Sequence, residues 1–151
     1  MLGRHNFLAA RSSSTFNGLW ANKSIDGRVW KNDLAAPKDI FHSNRELFPW
    51  LEIELENERM ISGLFILNKY RHGDRLKDLE VRVGDSSVPE GQTGTELTTN
   101  TVVGNFPGPG EDGETYEIKF SAPVRGKFIS LQLLNHIWFN IEEVYLPGGG
   151  A

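Results

Sequence analysis

The sequence predicts an all-β protein folded as an antiparallel β-sandwich. Apolar residues alternate with polar ones at residues 51–55, 79–83 and 116–120, which is the pattern of strands with one face in water. Residues 64–67 and 128–134 are largely continuous apolar runs, and such runs indicate strands buried on both faces. No stretch has the period of an amphipathic helix. About seven or eight short strands joined by long connections are therefore predicted.

Further strands are predicted at both ends of the chain and near its middle. Residues 8–16 are expected to form an edge strand, residues 97–103 a short strand, and residues 139–146 the last strand. Pro123, followed by Arg125 and Gly126, is interpreted as a turn between two strands.

Two polar segments are predicted to carry the function. Residues 20–48 have no repeating period but contain many turn formers, and a long irregular segment of this kind indicates a functional loop. Residues 68–75 hold three basic side chains, a histidine and a carboxylate. Since a sandwich gathers its loops at two ends, where binding usually occurs, both segments are candidate sites.

Length and composition describe one globular domain, predicted over residues 1–147, with residues 148–151 as a disordered tail. The net charge of -4 gives no basic footprint, which argues against a nucleic-acid partner. No apolar run is long enough for a transmembrane helix, and the first residues lack the pattern of a signal peptide. Cysteine is absent, which excludes disulfides, thiolate metal sites and a cysteine nucleophile.

Short motifs follow one another along the chain in a characteristic order. They are Arg-Ser-Ser-Ser at 11–14, Ile-Asp-Gly at 25–27, Pro-Trp-Leu-Glu-Ile-Glu-Leu at 49–55, Arg-Leu at 75–76, Val-Arg-Val-Gly at 81–84, Arg-Gly-Lys-Phe-Ile-Ser-Leu at 125–131 and Glu-Val at 143–144. In order and spacing they resemble the discoidin, or coagulation factor 5/8 type C, domains, and within them the fucose-binding F-type lectins. This resemblance implies an eight-stranded antiparallel jelly-roll β-sandwich of the galactose-binding-domain type.

The resemblance also implies a sugar site. His42 stands before Pro49 where the F-type lectins have their histidine, and Lys69 stands where they have an arginine. Lysine keeps the charge but loses the bidentate fork of arginine. Arg71 takes the place of the family's aspartate, and Arg75 matches its last basic residue after a deletion of one residue.

A sugar needs fixed donors and acceptors around one apolar contact. We expect a site in which His42, Lys69 and Arg75 bind hydroxyl and ring oxygens, Asp74 accepts, and either His72 or Tyr70 supplies a flat face. The alternative is that residues 68–75 form a solvated hairpin tip whose charges pair at the surface, where such pairs matter little. The expected ligand is a terminal sugar of a glycan, with fucose and galactose as candidates.

The resemblance further implies a structural calcium ion in the first long loop. Calcium takes six to eight oxygen ligands, and irregular backbone can supply them. The predicted ligands are carbonyl oxygens of Lys23 and Arg28 with the carboxylates of Asp26, Asp39, Glu142 and Glu143. The alternative is that Asp26 caps a turn and the two glutamates form the polar face of the last strand.

Three functions stay open, and all favour an extracellular or cell-surface protein. The first is a lectin-like, carbohydrate-binding module. The second is a discoidin adhesion domain that binds a protein or an anionic membrane surface. The third is a purely structural module of a larger extracellular protein. Apolar loop tips would favour the membrane, and the candidates, which can equally be inward-facing anchors, are Trp30, Leu34, Ile40, Phe41 and Phe48. No catalytic motif is present, so an enzyme is not expected, and the oligomeric state is not predicted.

Overall fold

The computed structural model describes residues 7–27 and 40–147 of the chain. These residues form nine strands, all paired in antiparallel fashion. The strands are β1 (Phe7–Ser12), β2 (Phe41–His42), β3 (Glu46–Leu47), β4 (Trp50–Asn68), β5 (Leu79–Gly84), β6 (Thr101–Phe106), β7 (Thr115–Leu133), β8 (His136–Ile137) and β9 (Asn140–Tyr145). Two short 3-10 helices, Ala21–Ile25 and Gly73–Arg75, interrupt the loops. No helix in the described ranges is long and apolar enough to cross a membrane.

The two longest strands, β4 and β7, each contribute to both layers of the sandwich. The first half of β4 pairs with β1 and with the second half of β7, which in turn pairs with β5, and β5 with β6. The second half of β4 pairs with the first half of β7 and with β9, and β9 pairs with β2. The all-β sandwich predicted from the alternating patterns is confirmed.

The core lies between these layers and consists of inward-facing aliphatic and aromatic side chains. Leu51, Ile53 and Leu55 of β4 are fully buried, as the alternation of that strand requires. Phe41 of β2 meets Phe139 edge to face, with ring centroids 5.5 Å apart. Each such side chain contributes about 2 kcal/mol by leaving water.

The outer face of β4 was expected to be in water, and this expectation is wrong at Glu52, which is only 3% exposed. Its carboxylate accepts hydrogen bonds from Arg11 at 2.8 Å and from the backbone N–H of Val88 at 2.6 Å. The segment that carries Val88 covers this face, and a small second core of Trp50, Val88 and Leu97 lies beneath it. A buried carboxylate is tolerated here because it is paired and hydrogen-bonded.

The turn expected at Pro123 is absent, because β7 runs without interruption from Thr115 to Leu133. Pro123 lies where the pairing of β4 with β7 shifts register, between Gly63 opposite Lys119 and Ile61 opposite Val124. A proline is accepted in a strand where no ladder hydrogen bond is required of it. The register shift therefore explains why the chain passes through Pro123 as a strand.

The other predicted strands differ from the observed ones mainly in the residues at which they begin and end. The edge strand and the last strand are confirmed as β1 and β9, and the short middle strand begins later, at Thr101. In the run at residues 64–67, Leu64 and Ile66 are buried, whereas Phe65 and Leu67 are only half-buried. The predicted tail at residues 148–151 lies outside the described residues.

Candidate functional site

A cavity of about 450 Å³ opens at one end of the sandwich, where β2, β9 and β4 lie side by side. His42 of β2 pairs with Asn140 of β9, and Asn68 at the end of β4 pairs with Ile141. Neighbouring strands thus bring residues that are far apart in the sequence to one edge of the layer. The cavity is lined by Phe16, Asn17, Leu19, His42, Lys69, His72, Arg75 and Trp138.

His42 is held with one ring nitrogen inward and one available to the cavity. Its Nδ1 lies 2.7 Å from the backbone oxygen of Ser43, and because a carbonyl only accepts, Nδ1 carries the proton in the neutral ring. The Nε2 atom is then an acceptor. Phe16 packs beside the ring with centroids 4.9 Å apart. Burial, and then the positive charges of Arg75 and Lys69, lower the pKa of His42, which favours the neutral acceptor form.

Arg75 is positioned by an aromatic ring and an amide. Its guanidinium carbon lies 4.4 Å from the ring centroid of Trp138, which is within the range of a cation–π contact. One guanidinium nitrogen donates to Oδ1 of Asn140 at 3.1 Å. Burial lowers the pKa of Arg75, and the nearby carboxylate of Asp74 opposes that effect. The remaining N–H groups of this planar fork can serve a ligand.

Lys69 is nearly buried, with 5% of its surface exposed. Its Nζ donates to the backbone oxygen of Arg71 at 3.1 Å, which ties the ammonium group to the backbone of its own loop. Burial, followed by the charges of Arg75 and Arg71, lowers the pKa of Lys69. A lysine with this cost of burial gains from any acceptor that enters the cavity.

The loop that carries these residues is fixed from below by Asn68. The Asn68 side chain donates to the backbone oxygens of Gly73 and Glu111, both at 2.9 Å, and accepts from the backbone N–H of Lys69. The N–H of Gly73 donates in turn to the carboxylate of Asp112 at 2.8 Å. A Cβ atom on Gly73 would lie 2.6 Å from the backbone of Asp112, so only glycine fits between the two loops.

The structure brings four of the five predicted sugar-binding residues together. His42, Lys69, His72 and Arg75 line the cavity. His72 has a left-handed backbone with φ of 59° and precedes the 3-10 helix that carries Arg75. Asp74, expected as an acceptor, is exposed and does not line the cavity. Neighbouring residues of a 3-10 turn point their side chains in different directions, so Arg75 lines the cavity and Asp74 does not.

The predicted calcium ligands are only partly within the described residues. Glu143 of β9 accepts a hydrogen bond from the backbone N–H of Gly27 at 2.8 Å, which joins the last strand to the loop that contains Asp26. Glu142 and Glu143 are buried, at 2% and 0% exposure, so they are not a solvated strand face. No group of three or more Asp, Glu or His side chains suited to a metal ion occurs in residues 7–27 and 40–147.

Two more of the predicted calcium ligands, Arg28 and Asp39, lie outside the described residues. Calcium is often held by backbone carbonyls together with few carboxylates, and the contact between Glu143 and Gly27 is compatible with such a set. The calcium ion stays a prediction.

Sequence reasoning missed Trp138, Phe16 and Asn140. Trp138 follows the apolar residue Ile137 and precedes Phe139, so it is read from sequence as one more core residue. Asn140 is buried, and its amide nitrogen has no hydrogen-bond partner among the described residues. The only sequence signal was the polar interruption at 135–136 before the last strand, which marks a turn without indicating what it faces.

A larger cavity, of about 620 Å³, lies beside β1 and Trp20. Two of its polar side chains, those of Arg11 and Trp50, are already engaged within the protein. Arg11 donates to Glu52 and to the backbone oxygen of Val88 at 2.6 Å, and Trp50 donates through Nε1 to the backbone oxygen of Gln92 at 2.8 Å. The smaller cavity at His42 brings together four basic or imidazole side chains.

The antiparallel sandwich has the architecture of the galactose-binding-like jelly-roll domains. The chain belongs to the F5/8 type C domains, and residues 23–131 match the family model described as NedA-like, galactose-binding domain. No curated protein matches the sequence.

Several solved structures are similar to this chain. An F-lectin, or fucolectin, from striped bass (Morone saxatilis) serum superimposes with a TM-score of 0.75 at 21% identity, covering 95% of this chain and 47% of the other. This chain therefore spans about half of that lectin. A fucose-binding module of Streptococcus pneumoniae gives a TM-score of 0.69 at 18% identity, with 91% and 89% covered.

A family 32 carbohydrate-binding module from C. perfringens NanJ, in complex with galactose, also has a TM-score of 0.69, at 15% identity with 96% of each chain covered. At these identities the likeness establishes the shared fold.

Proposed function

We propose that this domain is a non-catalytic carbohydrate-binding module that holds a terminal sugar in the cavity at His42. The observation that carries the proposal is the convergence of His42, Lys69 and Arg75 beside Trp138 in one cavity of about 450 Å³. These residues come from β2, from the loop after β4 and from the connection between β8 and β9. Sugar sites combine a few fixed polar groups with an aromatic or apolar surface.

The geometry assigns a different task to each residue. Nε2 of His42 accepts the proton of one hydroxyl group, since Nδ1 is committed to Ser43. Arg75 and Lys69 donate to the oxygens of neighbouring hydroxyls, and hydrogen bonds from charged donors are stronger than neutral ones. Phe16 and His72 border the cavity and can cover the apolar face of the sugar ring.

Similar structures support this proposal through the ligands in their names. The module of Streptococcus pneumoniae is described as fucose-binding, and the module of C. perfringens NanJ is described in complex with galactose. The family description also names galactose. A terminal sugar of a glycan at the cell surface or outside the cell is the corresponding ligand for this chain.

A membrane-binding adhesion function has less support. Of the loop tips considered for it, Ile40 and Phe41 are fully buried and act as anchors of the fold. Phe48 is half-buried, and Trp30 and Leu34 lie outside the described residues. Burial of Ile40 and Phe41 removes them from any contact with lipid.

A glycan array probed with the purified domain and with Arg75→Ala tests the proposal. We expect selective binding to glycans that share a terminal sugar, and loss of that signal in the variant, because Arg75 supplies charged donors to the cavity. Arg71→Ala is the matched control, since its side chain is exposed and does not line the cavity. An array without signal for the unaltered domain contradicts the proposal and directs attention to liposomes and protein partners.

A further inference from the structure

The cavity at His42 is lined by basic residue types without an acidic one. Of its eight lining residues in the described part of the chain, four are basic or imidazole side chains and none is Asp or Glu. The whole chain, in contrast, has a net charge of -4. Positive charge is thus concentrated at this cavity on an acidic protein, and local charge rather than net charge decides what a cavity attracts.

Two carboxylates near the cavity, those of Asp74 and Asp112, lie outside its lining. In residues 7–27 and 40–147, Arg75 forms no ion pair, and its partners are the neutral amide of Asn140 and the ring of Trp138. Asp74 is exposed and outside the lining. The carboxylate of Asp112 is engaged by the backbone N–H of Gly73 at 2.8 Å.

The basic groups act unfavourably on one another. Burial is the first cause of the lowered pKa values of Lys69 and His72, and the charge of Arg75 is the next cause for both. Nearby carboxylates raise these pKa values by a smaller amount. Asp112 acts on both residues, Glu142 on Lys69, and Asp74 on His72. A ligand that brings a negative charge into the cavity relieves this repulsion, whereas a neutral ligand leaves it in place.

We propose that the cavity selects a terminal sugar that carries an anionic group, bound by Arg75 and Lys69 while a hydroxyl of the same sugar binds His42. The inference rests on the proposed carbohydrate function and names the class of sugar. The planar guanidinium matches a carboxylate or sulfate with two parallel hydrogen bonds, and the lysine adds a point charge. Because Trp138 and Asn140 hold the guanidinium in advance, little side-chain entropy is lost on binding.

Calorimetric titration with matched pairs of sugars tests this inference. Each pair shares its ring stereochemistry and differs in whether the C6 group is a neutral hydroxymethyl group or an anionic group: galactose with galacturonic acid, glucose with glucuronic acid, and galactose with its 6-sulfate. We expect the acidic member of at least one pair to bind about tenfold more tightly, since hydrogen bonds to charged groups exceed neutral ones by that order. The uronic acid and sulfate arms distinguish the two kinds of anion.

Salt and charge variants provide independent measurements. The advantage of the acidic sugar is expected to shrink at high ionic strength, because screening acts on the charged pair. Lys69→Gln keeps a donor but removes one charge, so it should reduce the preference for the acidic sugar more than it reduces binding of the neutral one. Arg71→Gln removes the same charge outside the cavity lining and should retain most of the preference.

The outcomes separate the inference from the function beneath it. Equal or tighter binding of the neutral member in every pair overturns the inference and leaves the carbohydrate function intact. An acidic preference that persists unchanged at high salt also overturns it, since charge would not be its cause. No binding of any sugar, together with a blank glycan array, overturns both proposals.

Discussion

Trp138 is the residue that holds the main donor of the cavity in place. Its ring lies 4.4 Å from the guanidinium carbon of Arg75 and 5.6 Å from that of Arg45. A ring between two cations fixes the orientation of both. The arrangement of the cavity therefore depends on a side chain whose own polar contribution to a ligand is small.

Trp138→Ala is expected to weaken glycan binding by about fivefold to tenfold, the order of a lost cation–π contact and its positioning effect. Titration calorimetry with the preferred glycan measures the change. Trp20→Ala is the control, because Trp20 is exposed and lines the other cavity. Equal losses in the two variants would mean that Trp138 has no special part in positioning Arg75.

The histidines of the cavity make stability depend on pH. The pKa values of His42 and His72 are both lowered from the ordinary value of 6.5, mainly by burial and then by Arg75 and Lys69. The unfolded chain therefore binds protons first as pH falls, and protonation favours unfolding. The contribution of these histidines to the free energy of unfolding is therefore fully present above about pH 6.5 and is lost as the pH falls below that value.

Urea unfolding at about pH 7.5 and about pH 5 measures this effect. The decline is expected to be shallower in His42→Gln, since that variant lacks one of the two titrating rings. Because other groups also contribute to the pH dependence of unfolding, the effect of His42 is the difference between the decline in the unaltered domain and the decline in the variant. A decline of the same size in both proteins would assign it to other groups.

Single residues of the cavity were predictable where their polarity stood out from the sequence around them. His42, Lys69 and Arg75 occur in polar segments. Packing of the core does not explain a basic residue in such a segment, so a binding role is indicated. Trp138 lies among apolar neighbours, where aromatic residues usually belong to the core. Its exposure to the cavity follows from the pairing of β9 with β2, which sequence periodicity does not reveal.

At the level of structural elements, Gly73 lies where the two loops that support the cavity meet. Gly73→Ala is expected to destabilise the fold by about 1–3 kcal/mol, because its Cβ would meet the backbone of Glu111 and Asp112 at 2.6 Å and overpacking of this kind costs that order. Glycan binding should fall as well, since the loop that carries Lys69 must shift. Chemical denaturation and calorimetry provide the two readouts.

Gly91→Ala is the comparison for this substitution. It has no atom within 4 Å of the added carbon, although its φ of 75° is itself unfavourable for alanine. It should therefore cost about 1 kcal/mol and retain glycan binding. Loss of binding in this variant, or full binding in Gly73→Ala, would contradict the supporting role of Gly73.

The loop that contains Asp26 gives the test of the calcium prediction. If calcium holds this loop against Glu143, a chelator should lower the melting temperature by about 5 °C or more, as expected when a bound ion stabilises a domain of this size. Asp26→Ala should abolish the sensitivity, whereas Asp85→Ala, at an exposed position, should retain it. An unchanged melting curve in chelator would count against the ion.

The limits of strands β4 and β7 were not predictable from periodicity. Residues 56–62 are mostly polar and exposed, so the pattern that signals a buried strand stops at Leu55. The backbone nevertheless continues as a strand, because Arg59, Met60 and Ile61 pair with the partner strand β7. Hydrogen bonding between strands can extend a sheet beyond the residues that contribute to the core.

The sandwich as a whole was predictable because one class of signal dominates the chain. Alternating apolar residues mark the strands, and the absence of helical periodicity leaves few architectures. The order of the strands within each layer is set by long-range pairing, such as that of β1 with the first half of β4. Such pairing leaves no local trace in the sequence.

The whole molecule combines an acidic surface with a basic cavity. Titration of the isotopically labelled domain with the best glycan of the array, followed by the indole N–H signals in NMR spectra, tests most directly whether this cavity is the binding site. The signal of Trp138 is expected to shift with increasing ligand, while that of Trp50, bonded to Gln92 at 2.8 Å, stays constant. A shift of Trp50 or Trp20 with Trp138 unchanged would place the ligand elsewhere and contradict the account.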